Sequence, residues 1–274
     1  MKKEVLTIIF ALVCGVILTN CNSNMELDDN EYSINNENIK SISSNGVVSH
    51  EYHYDSSGRI VEENCRVYFQ KYIYGANGRL EKVESAFDRT MYSSTWHEPR
   101  TEFMTSKNSE VENYRLYFYD KTGMLSKIEN YFKATGENFE CRSLQSFEFK
   151  GTNITKVNYH EPSGKITQYY VYSYDKNGNV TKEKQYSNLT VSNELLRETT
   201  YQYDNYNNPY RIFSMLCSPG LWSNTNNIIE TYSTLFYDVQ GIDKNSHSKT
   251  AYKYNKDGYP VKEITGDGEF DYHY

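Results

Sequence analysis

The sequence predicts an all-β protein: an antiparallel meander of hairpins forming one strongly curved, partly closed or barrel-like sheet. A two-sheet sandwich is the alternative, since it uses the same hairpins. Three observations predict this. Two aromatics one residue apart, a polar tetrad ending in Gly and a mixed aliphatic and charged stretch recur from HEYHYDSSGRIVEE at 50–63 to TAYKYNKDGYPVKEI at 250–264. Further turn signals stand between the copies, at 134–136 and 162–164. No stretch carries a convincing helical period.

The copies follow in order. Tyr52, Tyr54, Asp55, Gly58 and Ile60 form the first, and Tyr72, Tyr74, Gly78 and Leu80 the second. Tyr117, Tyr119, Asp120, Gly123 and Leu125 come next, then Tyr172, Tyr174, Asp175, Gly178 and Val180, and finally Tyr252, Tyr254, Asn255, Gly258 and Pro260. Looser copies are Phe147 and Phe149 before a shortened turn, Tyr201, Tyr203 and Asp204 with Asn207 at the Gly position, and Tyr237, Asp238 and Gly241. Alternating aromatics give a strand with one packed face. Asp or Asn opening the tetrad hydrogen-bonds the turn's own backbone, and Gly three residues later supplies a left-handed conformation. The chain returns as a second strand whose aliphatic residue packs against the aromatics across the ladder.

The turn glycines are 20 residues apart at first and 45 next, so the chain is not a strict solenoid. Two segments break the pattern as long loops or modified hairpins: 84–113, with Trp96, and 213–229, with Trp222.

Tyrosine, 28 of 274 residues, supplies the large side chains. Its ring is buried while its hydroxyl stays hydrated or finds a partner, so thin, half-wet layers can hold together. A net charge of −7 with acids and bases interspersed argues against nucleic acid. Cys65, Cys141 and Cys217 form no CxxC pair and read as small buried hydrophobes. No cofactor motif is present, and none is expected.

Residues 1–20 read as a signal peptide, with two lysines and then an apolar run from Val5 to Thr19. Leu18, Thr19, Asn20 and Cys21 resemble the bacterial lipobox, with Asn20 where that motif has a small residue. The resemblance implies lipid on Cys21 and an exported outer-membrane lipoprotein, facing the periplasm or the cell surface. Residues 21–45, polar and acidic, read as a flexible tether, and 46–274 as one all-β domain.

YHYDSSGRI at 52–60 and YIYGANGRL at 72–80 resemble the RHS or YD repeat of bacterial surface and toxin-encasing proteins over most of 50–264. With the lipobox and YQYDNYNNPYRIF at 201–213, the chain looks like exported bacterial lipoproteins of unknown function. That resemblance implies a porin-like, curved β-sheet fold and supplies no catalytic residues. Only the hairpin half of the repeat is present, and the toxin-encapsulating role is not expected to transfer, since the sequence stops ten residues after its last repeat.

Candidate chemistry is sparse. His97, Glu98 and Pro99 recur as His160, Glu161 and Pro162, and His50 and Glu51 precede His53; none forms a metal motif, and these read as polar residues of turns and strand edges. Asp267, Glu269 and Asp271 alternate without a calcium-loop pattern and read as a solvated strand end. No metal site is expected. Nucleophile and phosphate-loop motifs are absent, whereas a carboxylate pair for hydrolysis is open among many acids. Trp96 and Trp222, off the repeat, are the candidate ligand-binding residues. The strands carry Lys and Glu and mean hydropathy is −0.78, against lipid spanning. The expected function is a non-catalytic, membrane-tethered binding or adhesion module for a glycan or peptide. The alternative is an assembly protein binding another envelope protein, and the third is a hydrolase.

Overall fold

The computed structural model describes residues 38–88, 100–133, 138–189, 193–237 and 243–274. Seventeen strands follow one another along these residues. They are β1 (Ser41–Ser44), β2 (Val47–Tyr54), β3 (Ile60–Cys65), β4 (Tyr68–Tyr74), β5 (Leu80–Phe87) and β6 (Asn113–Tyr119). The middle of the chain gives β7 (Leu125–Lys133), β8 (Phe139–Lys150), β9 (Asn153–His160), β10 (Ile166–Tyr174), β11 (Val180–Ser187) and β12 (Glu194–Tyr203). The last are β13 (Ile228–Leu235), β14 (Asn245–Lys249), β15 (Ala251–Tyr254), β16 (Pro260–Thr265) and β17 (Gly268–His273).

Each strand from β1 to β14 pairs antiparallel with the next. β15 pairs with β16, β16 with β17, and β17 returns to β1. The result is one nearly closed, barrel-shaped antiparallel sheet, so the sandwich alternative falls away. At the seam, β14 and β15 form a single strand bent at Thr250, whose ladder passes from β13 to β16.

The turns close as their chemistry dictates. Asp55 Oδ1 accepts from the Ser57 and Arg59 backbone N–H groups, and Gly58 sits at φ +77°. Asp120 and Asp175 repeat this with Thr122 and Met124, and with Asn177 and Asn179, ahead of Gly123 and Gly178. Asn255 serves Asp257 and Tyr259 ahead of Gly258, and in the second copy Asn77 caps Arg79 before Gly78 at φ +77°. The ladder slips by a residue just before each of these turns, at Tyr54 opposite Ile60 and its equivalents, which is a β-bulge.

The bulge sets up a second repeated bond. The hydroxyl of the second tyrosine in a hairpin donates to the first carbonyl of the neighbouring return strand: Tyr74 to Ile60 at 2.9 Å, Tyr119 to Leu80 at 2.8 Å, Tyr174 to Ile154 at 2.7 Å and Tyr274 to Pro260 at 2.8 Å. Tyr203 does the same to Val180, and Tyr54 to Ile39 at 2.6 Å. Each bond supplies a donor to a rim carbonyl and ties one hairpin to the next. Phe149 holds this place without a hydroxyl.

Two features differ from the sequence reading. β1 lies inside the 21–45 stretch read as tether, because Ile39 and Ile42 bury fully or nearly so and Asn45–Gly46, at φ +51° and +74°, turns the chain into β2. The copy at Tyr201, Tyr203 and Asp204 is not closed by Asn207. Asp204 instead donates its backbone N–H to the Asn227 carbonyl, and the Asn227 N–H donates to Asp204 Oδ1, just as Asp55 and Arg59 do. Residues 205–226 are therefore an insertion within a repeat turn.

That insertion folds into the barrel as a plug. It carries a 3₁₀ helix, Pro209–Leu216, capped by the Asn208 side chain on the Tyr210 N–H and ended by left-handed Cys217. Phe213, 1% exposed, packs edge-on to Tyr52 and tilted to Tyr72 inside the sheet. Asparagines fasten the plug to the turn-side rim. Asn224 accepts from Val180 N, Asn226 N donates to Asn179 Oδ1, Thr225 Oγ1 donates to Asn177 O, and Asn207 Nδ2 donates to Asp257 O. On the outside, part of the segment after β5 returns over the sheet, with Met104 covering Phe69 and Ala86 and the Ser106 N–H and hydroxyl bound to Glu62.

Candidate functional site

Register fixes which residues face inward. The first tyrosine of each close hairpin copy points at the interior and faces the residue five after the turn glycine: Tyr52 faces Glu63, Tyr72 faces Val83, Tyr117 faces Ile128, Tyr172 faces Glu183 and Tyr252 faces Glu263. Three of the five copies thus place a carboxylate on the inner wall. Each has a partner. Glu63, 5% exposed, accepts from Tyr68 at 2.6 Å and Tyr72 at 3.1 Å. Glu183 pairs with Arg197 at 3.2 Å, and Glu263 accepts from the Tyr272 hydroxyl, itself 3.0 Å from that of Tyr210. Burial holds all three above the usual carboxylate range, against the pull of Tyr68 and Tyr72 on Glu63, of Arg197 on Glu183 and of Tyr272 on Glu263.

One pleat further from the turns the inner wall turns polar. Two residues before Tyr72, Tyr117 and Phe147 stand Gln70, Arg115 and Gln145, and two beyond Glu183 stands Gln185. Tyr159, Gln168 and Tyr170 share this face, with Tyr159 and Tyr170 edge-on at 5.5 Å. These side chains are half-buried, neither core nor open surface. Arg115 donates to Gln70 Oε1 at 2.9 Å, and no carboxylate of the described residues pairs with it. Its charge acts on Tyr72 and Tyr117 nearby and on Tyr159 three strands away. The buried Tyr117 hydroxyl and Arg197 Nε have no hydrogen-bond partner among the described residues. Burial, with Arg197 opposing it, pushes the Tyr170 phenol up to about 12. Chemically this wall offers amides, phenols and one guanidinium outside any ion pair, its charge felt by Glu63, around a concave surface.

Cys21 and Trp96 lie outside the described residues, as do His97 to Pro99, the 134–136 turn, and Asp238 and Gly241 of the last loose copy. Trp222 is half-buried in the plug, edge-on to Phe213 at 4.9 Å and to Tyr210 at 5.6 Å. The named turn residues Asp55, Gly58, Gly78, Asp120, Gly123, Asp175, Gly178 and Gly258 all sit at the plugged rim and line no part of the polar wall. His160 bridges Ser146 Oγ and Gly164 O. Asp267 is exposed in the β16–β17 turn, while Glu269 and Asp271 both pair with Lys262. Among the described residues no cluster of His, Cys, Asp or Glu could hold a metal ion. Cys65, Cys141 and Cys217 are free thiols, and burial raises Cys65 and Cys217 to about 11.

The polar wall itself escaped the sequence reading. Its signal lay two residues upstream of three of the paired aromatics, Tyr72, Tyr117 and Phe147, where Gln70, Arg115 and Gln145 stand in the place of further apolar groups.

The outer face is charged. Lys82 and Glu84, Lys127 and Glu129, Lys182 and Lys184 with Glu198, and Lys249 with Glu230 pair along it. A strand that faces lipid needs an apolar band there instead. No helix among the described residues is long and apolar enough to cross a membrane.

No family model and no curated protein matches the chain. Among solved structures it is similar to a porin-like protein from Bacteroides vulgatus, at TM-score 0.50 and 12% identity over 86% of this chain and 98% of that one. A porin-like protein from Bacteroides uniformis matches at TM-score 0.39 and 10% identity, covering 85% of this chain and 96% of that one. TcdB2-TccC3 without its hypervariable C-terminal region matches at TM-score 0.25 and 11% identity, over 80% of this chain and 12% of that one. The first likeness is one of fold alone, between this nearly closed antiparallel sheet and that protein.

Proposed function

We propose that the protein is a non-catalytic binding module, held at the outer membrane by lipid on Cys21, that takes a glycan against the polar inner wall beyond its plug. One observation carries the reading. The Gln145 amide and the hydroxyls of Tyr159 and Tyr170 have no hydrogen-bond partner among the described residues, yet all face the concave side of a rigid sheet. Groups of this kind stay only where water or a polar ligand meets them. Edge-on tyrosines offer ring faces for a sugar, and neighbouring amides offer donors and acceptors for its hydroxyls. The inner glutamates are committed to tyrosine or arginine partners, which favours binding over hydrolysis.

The test is a glycan and peptide array probed with wild type and with Tyr159→Ala and Tyr170→Ala. Glycan binding that both variants lose at unchanged melting temperature supports the reading. Binding of peptides alone, or silence on the array, overturns it.

A second reading, an envelope assembly partner, draws on the seam. β14 is largely exposed and pairs with β13 on one side, and beside it Tyr232, stacked on His247, and Phe236 are 41% and 52% exposed. Cross-linking in cells from a photoreactive group at Ser248 that captures one envelope protein reproducibly would support it.

A further inference from the structure

We propose that the glycan taken in this lumen is an acidic one, whose carboxylate docks on Arg115 while its sugar ring lies against Tyr159 and Tyr170. The inference rests on the binding reading above and names its ligand class. Two arginines point into the lumen and they are not equivalent. Arg197 has a carboxylate partner in Glu183 at 3.2 Å. Arg115 has only the neutral carbonyl of Gln70, which occupies one of its five N–H donors.

Glu63 feels the charge of Arg115 but forms no ion pair with it, because it turns both oxygens to Tyr68 and Tyr72. A half-buried guanidinium outside an ion pair leaves donors unmet, and a planar carboxylate matches its fork with two parallel bonds. Tyr117 supplies a second, independent sign. Its ring is 5% exposed, two residues along the same strand face from Arg115, and its buried hydroxyl bonds to nothing among the described residues. The guanidinium only donates and the idle hydroxyl can donate, so an acceptor such as a carboxylate suits both. Arg115 on β6 and Tyr159 on β9 share the inner face three strands apart, about 14 Å at the usual strand spacing, which a short oligosaccharide spans.

The experiment uses the purified protein and an array of uronate-bearing, sialate-bearing, sulfated and neutral glycans, with each carboxylated glycan also present in carboxyl-reduced form. Wild type should retain carboxylated glycans and bind the reduced forms at least about tenfold more weakly, the worth of one charge-assisted pair. Arg115→Gln should lose the same factor for the acid and nothing further for its reduced form, and Arg115→Lys should recover part of the loss. Equal binding of reduced and acidic forms, or retention of sulfated or neutral glycans alone, overturns the carboxylate inference and leaves glycan binding standing. Retention of no glycan overturns both. Carboxyl reduction is read on wild type, so it decides the matter even where Arg115→Gln fails to fold.

Discussion

At the residue scale, tyrosine does two jobs and its position in the pair decides which. The first tyrosine faces the interior, and the second, in every close copy but the last, carries its hydroxyl to a carbonyl of a neighbouring segment; in the last, Tyr254 donates to Asp204 and Tyr252 to Ile228 O. Tyr74→Phe should therefore cost about 1 kcal/mol by leaving Ile60 O without its donor, as chemical denaturation will show. Tyr114→Phe, on the outer face, should cost less. The inner glutamates give a pH signature. Burial raises Glu63, so folding favours its protonated form. The associated stability is fully present below the unfolded-state pKa of roughly 4.3 and is lost as pH rises through the raised folded value. Glu63→Gln removes that loss, so its melting temperature relative to wild type should climb as pH rises above about 4. A difference that stays flat with pH would contradict the assignment. The paired tyrosines and the turn Asp and Gly were legible in the sequence because each acts within a few residues. Glu63, Glu183 and Glu263 were not, since their inward direction depends on a ladder register that only the folded sheet reveals.

At the element scale, the plug is the departure from the repeat. An insertion in one turn replaces a tight tetrad, yet Asn227 restores the bond pattern to Asp204 that Arg59 makes to Asp55. The rim stays intact while residues 205–226 fold inward. Phe213→Ala should cost about 3–5 kcal/mol, because its fully packed ring holds the plug against Tyr52 and Tyr72. A loss under about 1 kcal/mol would mean the plug is not integral to the core. The 3₁₀ helix had a readable start in Asn208 followed by Pro209, a capping residue and a first-turn proline. It has too few residues for a helical period to show, and its inward course depends on asparagines pairing with turns 44 to 50 residues away.

At the scale of the whole molecule, a ring of hairpins gives a barrel with a charged outside and a polar inside, closed at one end by its own chain. Closure was not readable locally, because it depends on β1 meeting β17 from opposite ends of the sequence and on the bend at Thr250. The charged outer wall predicts a water-exposed barrel, for which the proposed lipid on Cys21 would be the membrane tie. Cys21→Ala should abolish metabolic lipid labelling and move the chain out of the membrane fraction, whereas membrane retention without label would point to insertion of the barrel itself.

The most direct test of the lumenal site is ¹³C-tyrosine NMR, titrating the protein with a glycan retained on the array. Tyr159 and Tyr170 signals should shift with ligand while the outer-face signals of Tyr114, Tyr131 and Tyr186 stay in place. Shifts confined to the outer set would contradict it and move the binding site to the outside of the barrel.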